Sequence, residues 1–247
     1  MLVPTRYWLV MPAAGASRRF GGEGAKQHMA LAGRTVLELA LQLFTGDARC
    51  VGIALALSAA ALANPAVRSR LGAKVSPVIG GERRCDSVLA GLLALKGRAA
   101  EDDWVLVHDA ARPCLSPADL NQLLHVGAAH PVGALLAAPV TDTLKRADAA
   151  STSECTVDRG ALWRALTPQM FRYGPLCAAL GSAIAAGREP SDEAQAMEWQ
   201  GARPLLIAAQ DSNIKITSRQ DLAVAMAILA ARAEPPAAAD LATGATG

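Results

Sequence analysis

The apolar stretch Tyr7-Trp-Leu-Val-Met11 has the length of one buried strand, and it runs directly into the small residues Pro12-Ala-Ala-Gly15. A polar, glycine-rich segment at 16–33 separates this strand from the first helix, which Thr35-Val-Leu-Glu38 opens as a capping box. A buried strand followed by a loop and an amphipathic helix is the repeating unit of a parallel sheet. The beginning of the chain therefore predicts an α/β fold.

Further apolar runs alternate with segments of helical period, which indicates a mostly parallel central sheet with flanking helices. A small-residue turn is expected after 57, and the short, polar, β-prone pieces at 141–167 predict a hairpin or arm that leaves the sheet. We expect a single domain at 1–232, with the arm at about 139–167, and a disordered tail at 233–247. The other predicted strands are 51–57, 74–79, 104–108, 132–139, 204–208 and 214–216. The predicted helices are 36–46, 86–96, one that opens at Ser116, 174–186, 191–200 and 218–232.

The charge balance argues against nucleic acid as a partner. The 247 residues carry 24 Lys and Arg against 22 Asp and Glu, a net charge of +2, whereas nucleic-acid binding relies on an excess of basic residues that neutralise phosphates. Only five of the 24 basic residues are lysines, so a lysine at the end of a strand is mildly informative.

The sequence predicts a cytoplasmic protein without a structural metal. Arg6 precedes only five apolar residues, fewer than the core of a signal peptide, and no apolar run is long and unbroken enough to span a bilayer. The five cysteines are scattered and odd in number, which is typical of reduced thiols, and no Cys or His has zinc-ligand spacing.

Two glycine-containing segments follow predicted strands and could hold a nucleotide. In the first, Pro12 to Lys26, small residues let backbone N–H groups approach an anion, and Arg19 and Lys26 add positive charge. It is not a Walker A loop, because Gln27 stands where Ser or Thr is needed. The second, Gly80-Gly-Glu-Arg-Arg-Cys-Asp-Ser87, leads into a helix and could hold a flat ring against its backbone. A solvated surface loop and a plain turn remain open as their alternatives.

Two further strand ends carry charged residues. His108-Asp-Ala-Ala-Arg-Pro113 places a carboxylate and a guanidinium three residues apart, which could bind a hydroxyl and a phosphate or form a local ion pair. In Asn213-Ile-Lys-Ile-Thr217, the lysine of a short strand must point away from its two isoleucine neighbours, toward an anion or toward water. No Ser-His-Asp or Cys-His pair lies near a predicted strand end.

Taken in order, these segments resemble the 2-C-methyl-D-erythritol 4-phosphate cytidylyltransferases of the non-mevalonate isoprenoid pathway. The resemblance runs from about Trp8 to Ala230 and includes Gly-Gly-x-x-Arg-x-x-Ser, Val-His-Asp-Ala-Ala-Arg-Pro, Ala-Pro-Val-x-Asp-Thr, Thr-Val-Asp-Arg and Leu-Thr-Pro-Gln. It implies a Rossmann-like nucleotidyltransferase fold and a homodimer in which an extended arm of each subunit reaches into its partner.

The resemblance also implies roles for individual residues. Ala13, Ala14, Gly15, Gly81, Glu82, Ser87 and Ala110 would bind the nucleotide; Asp109, Arg112, Thr143, Thr167 and the partner's Arg159 would bind the acceptor; and Arg19, Lys26, Arg159 and Lys215 would act on the reacting phosphates.

The implied reaction joins CTP to methylerythritol phosphate and releases pyrophosphate, with Mg²⁺ held mainly through the CTP phosphates. Two alternatives stay open: a cytidylyltransferase for a pentitol phosphate such as ribitol 5-phosphate, and a non-catalytic nucleotide-binding module. A dehydrogenase is disfavoured because the glycine fingerprint of dinucleotide-binding folds is absent.

Overall fold

Strands and helices alternate along the chain as the sequence pattern predicts. The computed structural model describes residues 4–15, 29–31, 33–210 and 212–233, so Arg19, Lys26, the rest of the loop at 16–28 and the tail from 234 lie outside the described residues. The strands are β1 (Tyr7–Ala13), β2 (Ala30–Leu31), β3 (Arg34–Thr35), β4 (Cys50–Leu57), β5 (Val75–Ile79), β6 (Trp104–Val107), β7 (Gly133–Pro139), β8 (Leu144–Ala147), β9 (Ser153–Val157), β10 (Trp163–Arg172) and β11 (Leu205–Ala208). The helices are α1 (Val36–Gly46), α2 (Ala59–Ala63), α3 (Pro65–Arg68), α4 (Arg84–Leu93), α5 (Pro117–Gly127), α6 (Tyr173–Ala185), α7 (Glu193–Glu198) and α8 (Arg219–Ala233).

The central sheet has seven strands in the order β11-β7-β10-β6-β1-β4-β5. All neighbours pair in parallel except β10, which runs antiparallel to both β6 and β7. The prediction of a mostly parallel sheet with flanking helices is therefore confirmed. The carboxyl ends of the parallel strands share one edge, and the beginning of β10 reaches that same edge.

Both faces of the sheet are covered by helices, which explains why β1 is apolar along its whole length. Leu9 and Met11 pack on the side of α1 and α5, in one core cluster with Phe44 and Leu123. Val10 packs on the other side, in a second cluster with residues of α4, α6 and α7. A third, smaller cluster holds α8 against the segment after β6.

The predicted helix caps form as expected. The Thr35 hydroxyl oxygen accepts a hydrogen bond from Glu38 N, and the Glu38 carboxylate accepts from Thr35 N at 2.6 Å, so the capping box is complete. Asp119 N donates to Ser116 Oγ at 3.0 Å at the beginning of α5. Among the described residues, no helix is long and apolar enough to cross a membrane.

Two helices, α4 and α7, begin two residues away from their predicted starts, because a cap fixes where each begins. The Asp86 carboxylate accepts from Arg83 N, which makes Asp86 the third residue of α4 rather than the first, and α4 ends at Leu93 instead of at 96. Asp192 caps α7 through Gln195 N, so α7 begins at Glu193 instead of at 191.

The strand predicted at 214–216 is absent. Ile216 N donates to the carbonyl of Ala111, which lies in a turn after β6, and residues 214–216 belong to none of the strands. The apolar side chains that suggested a strand are used for packing, since Ile214 and Ile216 contact the third core cluster. The turn predicted after β4 was also wrong: Ser58 and Asn64 cap the two short helices α2 and α3 there.

The predicted arm is shorter than 139–167. Strands β8 and β9 form the antiparallel hairpin that the polar, β-prone sequence suggested. From Trp163 onward, however, the chain belongs to β10, which inserts between β6 and β7 as an interior strand of the main sheet. No predicted strand covered this region as far as Arg172.

Candidate active site

Three predicted site residues from distant parts of the chain meet at the carboxyl edge of the sheet. Asp109 follows β6, and its backbone N–H donates to the hydroxyl of Thr167 in β10 at 3.1 Å. Lys215 lies in the segment that follows β11, and its Nζ is 2.7 Å from Asp109 Oδ2. The sheet topology thus brings together residues that are up to about a hundred positions apart in sequence, at the edge where α/β proteins bind ligands.

The two glycine-containing segments also touch at this edge. A Cβ at Gly80 would lie 2.6 Å from Ala14 Cβ and 2.8 Å from Ser87 Oγ, so only glycine allows the turn after β5 to lie against the segment after β1. The buried Ser87 hydroxyl donates to the Gly81 carbonyl at 3.1 Å and fixes that turn. Glu82 is exposed between them. The predicted nucleotide-binding residues at 13–15 and at 81–87 are therefore close neighbours.

Asp109 is a buried carboxylate that contacts two cations. Its Oδ1 accepts a hydrogen bond from Arg84 Nε at 2.9 Å, and its Oδ2 accepts from Lys215 Nζ. Burial raises the pKa of the Asp109 carboxyl, but Arg84 and Lys215 outweigh this effect and hold that pKa far below its ordinary value. Asp109 is therefore ionised at neutral pH. The next residue, Ala110, is buried at the same edge of the sheet.

Two buried polar atoms next to Asp109 lack a hydrogen-bond partner among the described residues. Arg112 Nη1 donates to the Asn213 carbonyl at 2.7 Å, but Arg112 Nε stays 3.9 Å from Asp109 Oδ2 and makes no hydrogen bond. The Asn213 amide donates to the Thr167 carbonyl at 2.8 Å, while its Oδ1 has no partner. An unsatisfied buried donor and acceptor at one edge are typical of a site that a polar ligand completes.

His108 is buried and supports Thr167 rather than facing a ligand. Its Nε2 lies 3.0 Å from the Arg112 carbonyl, which can only accept, so Nε2 carries the proton. Its Nδ1 lies 3.0 Å from Thr167 Oγ1 and accepts from that hydroxyl, which itself accepts from Asp109 N. Burial lowers the pKa of His108 to about 4, so the imidazole is neutral at physiological pH.

The neutral state of His108 predicts an acid-sensitive fold. Because its pKa is lower in the folded than in the unfolded chain, its contribution is fully present above about pH 6.5 and is lost as the pH falls toward 4. Urea unfolding at pH 7 and at pH 5 measures this effect in the wild type and in His108→Gln. Between these pH values we expect the free energy of unfolding to fall about 2 kcal/mol more in the wild type than in the variant. Equal pH dependence in His108→Gln and the wild type would contradict this assignment.

Two other predicted site residues, Thr143 and Arg159, lie in the segment that carries the hairpin. Thr143 is exposed in the loop before β8, and the Arg159 guanidinium, exposed after β9, donates to the Thr141 carbonyl. Both therefore lie at the base of the β8–β9 hairpin. Arg19 and Lys26 lie outside the described residues.

Sequence reasoning missed a buried ion cluster behind Asp109. Arg84 Nη1 and Nη2 donate to the two carboxylate oxygens of Glu193 at 2.6 and 3.0 Å. Burial raises the pKa of the Glu193 carboxyl, although Arg84 opposes this shift. Arg84 is the arginine of the Gly-Gly-x-x-Arg motif, but the sequence assigned it no role. No sequence signal singled out Glu193, which begins a helix of six residues.

The described cluster suits a phosphate-bearing ligand. The cations of Arg84, Arg112 and Lys215 outnumber the carboxylates of Asp109 and Glu193, so the edge carries excess positive charge. Both Asp109 oxygens already accept from cations, and no group of three or more metal-ligating side chains occurs within the described ranges.

A cavity of about 820 Å³ between α1 and the α2–α3 segment contains none of these residues. Its lining is largely apolar, with Leu37, Leu41 and Val67 among its residues. Because the chemistry-bearing side chains lie at the sheet edge, we place the candidate site there and not in this cavity.

The family model of 2-C-methyl-D-erythritol 4-phosphate cytidylyltransferase (IspD) matches residues 7–231. The chain belongs to this family. It is 51% identical over 234 residues to the cytidylyltransferase of this name from Acidithiobacillus ferrooxidans, an alignment that covers 93% of this chain and 98% of that protein. The enzyme of the same name from Pseudomonas aeruginosa is 46% identical over 217 residues, covering 87% of this chain and 93% of that protein.

Solved structures with the same architecture support this IspD membership. A crystal structure of 4-diphosphocytidyl-2C-methyl-D-erythritol synthase superposes with a TM-score of 0.78 at 35% identity, covering 92% of this chain and all of that one. The 2-C-methyl-D-erythritol 4-phosphate cytidylyltransferase from Thermus thermophilus superposes with a TM-score of 0.75 at 30% identity, covering 91% and 98%. The predicted nucleotidyltransferase fold is thereby confirmed, and this IspD chain is a nucleotidyltransferase.

Proposed function

We propose that this chain transfers the cytidylyl group of CTP to 2-C-methyl-D-erythritol 4-phosphate, forming 4-diphosphocytidyl-2-C-methyl-D-erythritol and pyrophosphate for isoprenoid synthesis. Family membership gives the reaction class. The observation that carries the proposal in this chain is that Arg84, which follows the turn at Gly80, donates to Asp109 at the edge where Lys215 also contacts it. A nucleotide and a phosphorylated acceptor can both be bound there.

We assign the predicted residues to three groups within this site. The nucleotide lies against a backbone cradle, the acceptor binds beside Asp109, and cations surround the reacting phosphates. The nucleotide group is Ala13, Ala14, Gly15, Gly81, Glu82, Ser87 and Ala110; the acceptor group is Asp109, Arg112, Thr143, Arg159 and Thr167; the cation group is Arg19, Lys26, Arg159 and Lys215.

The charges beside Asp109 support its place in the acceptor group. Arg112 Nε lies 3.9 Å from Asp109 Oδ2, and its guanidinium adds positive charge beside the phosphate of the acceptor. Asp109, ionised and held by two cations, accepts from acceptor hydroxyls through its remaining lone pairs.

The transfer requires charge stabilisation and not a general base. A phosphate monoester has its second pKa near 6, so its oxygen is largely ionised at neutral pH. That oxygen attacks the α-phosphorus of CTP, the bond to the bridging oxygen of the β-phosphate breaks, and the electron pair leaves with pyrophosphate. Both nitrogens of His108 are engaged in hydrogen bonds, which agrees with a mechanism without a base. Lys26, Lys215 and Arg159 neutralise the charge that develops.

Mg²⁺ would enter with CTP, held mainly through its phosphates, and would supply positive charge at the leaving group. The proposal also includes a homodimer, in which the segment between β7 and β10, with its β8–β9 hairpin, carries Arg159 to the partner's site.

We treat 1–232 as one nucleotidyltransferase domain. All five cysteines are free thiols, which supports a location in the reducing cytoplasm.

Pyrophosphate release tests the proposed function. The purified protein should release pyrophosphate with CTP and methylerythritol phosphate, and replacing CTP by ATP, GTP or UTP should lower kcat/KM at least about 100-fold, because a site that hydrogen-bonds one base leaves buried groups unpaired with another. Ribitol 5-phosphate should be a comparably poor acceptor. Faster turnover with ribitol 5-phosphate would assign the chain to pentitol phosphates, and no release with any pair would favour a non-catalytic module.

A further inference from the structure

Arg84 joins two buried carboxylates that belong to different parts of the fold. Its Nε donates to Asp109 Oδ1 at 2.9 Å, and its two terminal nitrogens hold both oxygens of Glu193. Glu193 is fully buried and Asp109 is 6% exposed. The guanidinium is therefore shared unequally, with one contact to Asp109 and two to Glu193.

Such a cluster is a poor way to stabilise a fold. Removing two carboxylates and a guanidinium from water costs free energy that their attraction repays only in favourable geometry, and apolar replacements are often as stable. Other contacts already hold α7 in place, since Ala194 N donates to Gln169 Oε1 at 2.8 Å and Gln169 Nε2 donates to Asp192 Oδ2 at 3.0 Å. The charge on Glu193 therefore calls for a role beyond fastening α7.

Glu193 determines how Arg84 meets Asp109. Arginine and carboxylate groups prefer bidentate pairing, in which two N–H groups engage both oxygens. Glu193 occupies that fork, so only Nε remains for Asp109. Each Asp109 oxygen then accepts one cationic donor, from Arg84 or from Lys215, and keeps a further lone pair.

The three residues sit on elements that surround the site. Arg84 begins α4, directly after the turn at Gly80 and Gly81, and Glu193 begins α7. Asp109 follows β6 at the sheet edge. A change at Glu193 would thus reach Asp109 through one side chain, without either substrate touching Glu193.

We propose that Glu193 is a positioning residue, which holds the Arg84 fork so that the Asp109 carboxylate stays open to the hydroxyl groups of the acceptor. This inference rests on the proposed function, in which Asp109 binds the acceptor. Without the Glu193 charge, Arg84 turns its fork onto Asp109 and takes up the lone pairs that the acceptor needs.

Steady-state kinetics of Glu193→Gln test the role, because glutamine keeps the shape and removes the charge. We expect KM for methylerythritol phosphate to rise about 10-fold or more, with KM for CTP within about twofold of the wild type, since only the acceptor contact is lost. Glu193→Asp restores the charge at a shorter reach and should recover part of the acceptor affinity. Adding Arg84→Gln to Glu193→Gln should lower the acceptor KM below that of the single variant, because the misplaced guanidinium is gone.

Asp47→Asn is the matched control. Its carboxylate accepts from Arg49 Nε and Nη2 and from the Tyr7 hydroxyl, in a half-buried pair at the opposite edge of the sheet. This variant should lose thermal stability and keep both KM values.

Three results would overturn the inference: equal changes in both KM values of Glu193→Gln, unchanged kinetics in a merely less stable protein, or a double variant no better than the single one. Should Glu193→Gln fail to fold, Glu193→Asp decides alone, and unchanged acceptor KM in that variant overturns the proposal. A wild-type protein inactive with CTP and methylerythritol phosphate contradicts the proposed function itself, and the inference falls with it.

Discussion

Replacing Lys215 by alanine is expected to lower kcat about 100- to 1,000-fold, the usual effect of removing a preorganised charge contact to a transition state. Lys215 Nζ lies 2.7 Å from Asp109 Oδ2, and its side chain is 39% exposed, so the ammonium faces both the buried carboxylate and the open edge of the site. Two anionic substrates must approach each other there, and a cation between them lowers their repulsion as pyrophosphate leaves. The measurement is pyrophosphate release at saturating CTP and methylerythritol phosphate.

The same variant should remain folded, because Lys215 is a surface residue and Asp109 keeps its contact with Arg84. Lys74→Ala is the matched control: Lys74 Nζ donates to the Asp47 carbonyl at 2.7 Å, away from the site, and its loss should leave kcat unchanged. Near-normal turnover in Lys215→Ala would remove Lys215 from the cations that act on the phosphates.

Sequence analysis placed Asp109 and the segment of Lys215 at strand ends, and the family resemblance implied that both residues act at one site. The carboxyl ends of parallel strands share one edge, so residues just beyond them converge whatever their separation in sequence. The same reasoning holds for Gly80 and Ala14, whose contact requires the missing side chain of a glycine. Lys215 lies at this edge although the strand predicted at 214–216 does not form, because Ile214 and Ile216 pack in the third core cluster.

The place of β10 could not be predicted, for a reason that lies in its residues. Pro168 cannot donate a ladder hydrogen bond, and a proline argues against an interior strand. The chain accommodates it where the register with β7 shifts between Ala165 and Gln169. Burial of Leu166 to Phe171 without interruption also removes the alternation that marks a strand.

The Arg84–Glu193 pair was hidden for a different reason. The two residues are 109 positions apart, and α7 is too short to show a helical period. Glutamate in the first turn of a helix has an ordinary explanation in the helix dipole, so nothing local marked it as the partner of a buried guanidinium. Contacts between charged side chains depend on the packing of α4 against α6 and α7, which the sequence pattern does not specify.

Arg159→Ala should mainly weaken acceptor binding, raising KM for methylerythritol phosphate about 100-fold or more if its guanidinium contacts the substrate phosphate, because such charge-assisted hydrogen bonds are among the strongest. In the single chain the Arg159 guanidinium donates to the Thr141 carbonyl at the base of the hairpin. The prediction therefore depends on a partner subunit, and KM alone cannot tell whether the arginine acts within its own chain or across a dimer.

Hybrid dimers separate the two cases. We expect Arg159→Ala and Lys26→Ala proteins, each nearly inactive at low acceptor concentration, to regain activity when differently tagged copies are co-expressed and the heterodimer is purified. If Arg159 acts across the dimer, the Arg159→Ala subunit supplies Lys26 and receives Arg159 from its partner, so one of two sites is intact and activity is about half that of the wild type. Pairing Arg159→Ala with a chain that carries both substitutions builds no intact site and should stay inactive. A heterodimer as inactive as its parents would show that Arg159 serves its own chain, since each chain then holds one defective residue at its own site.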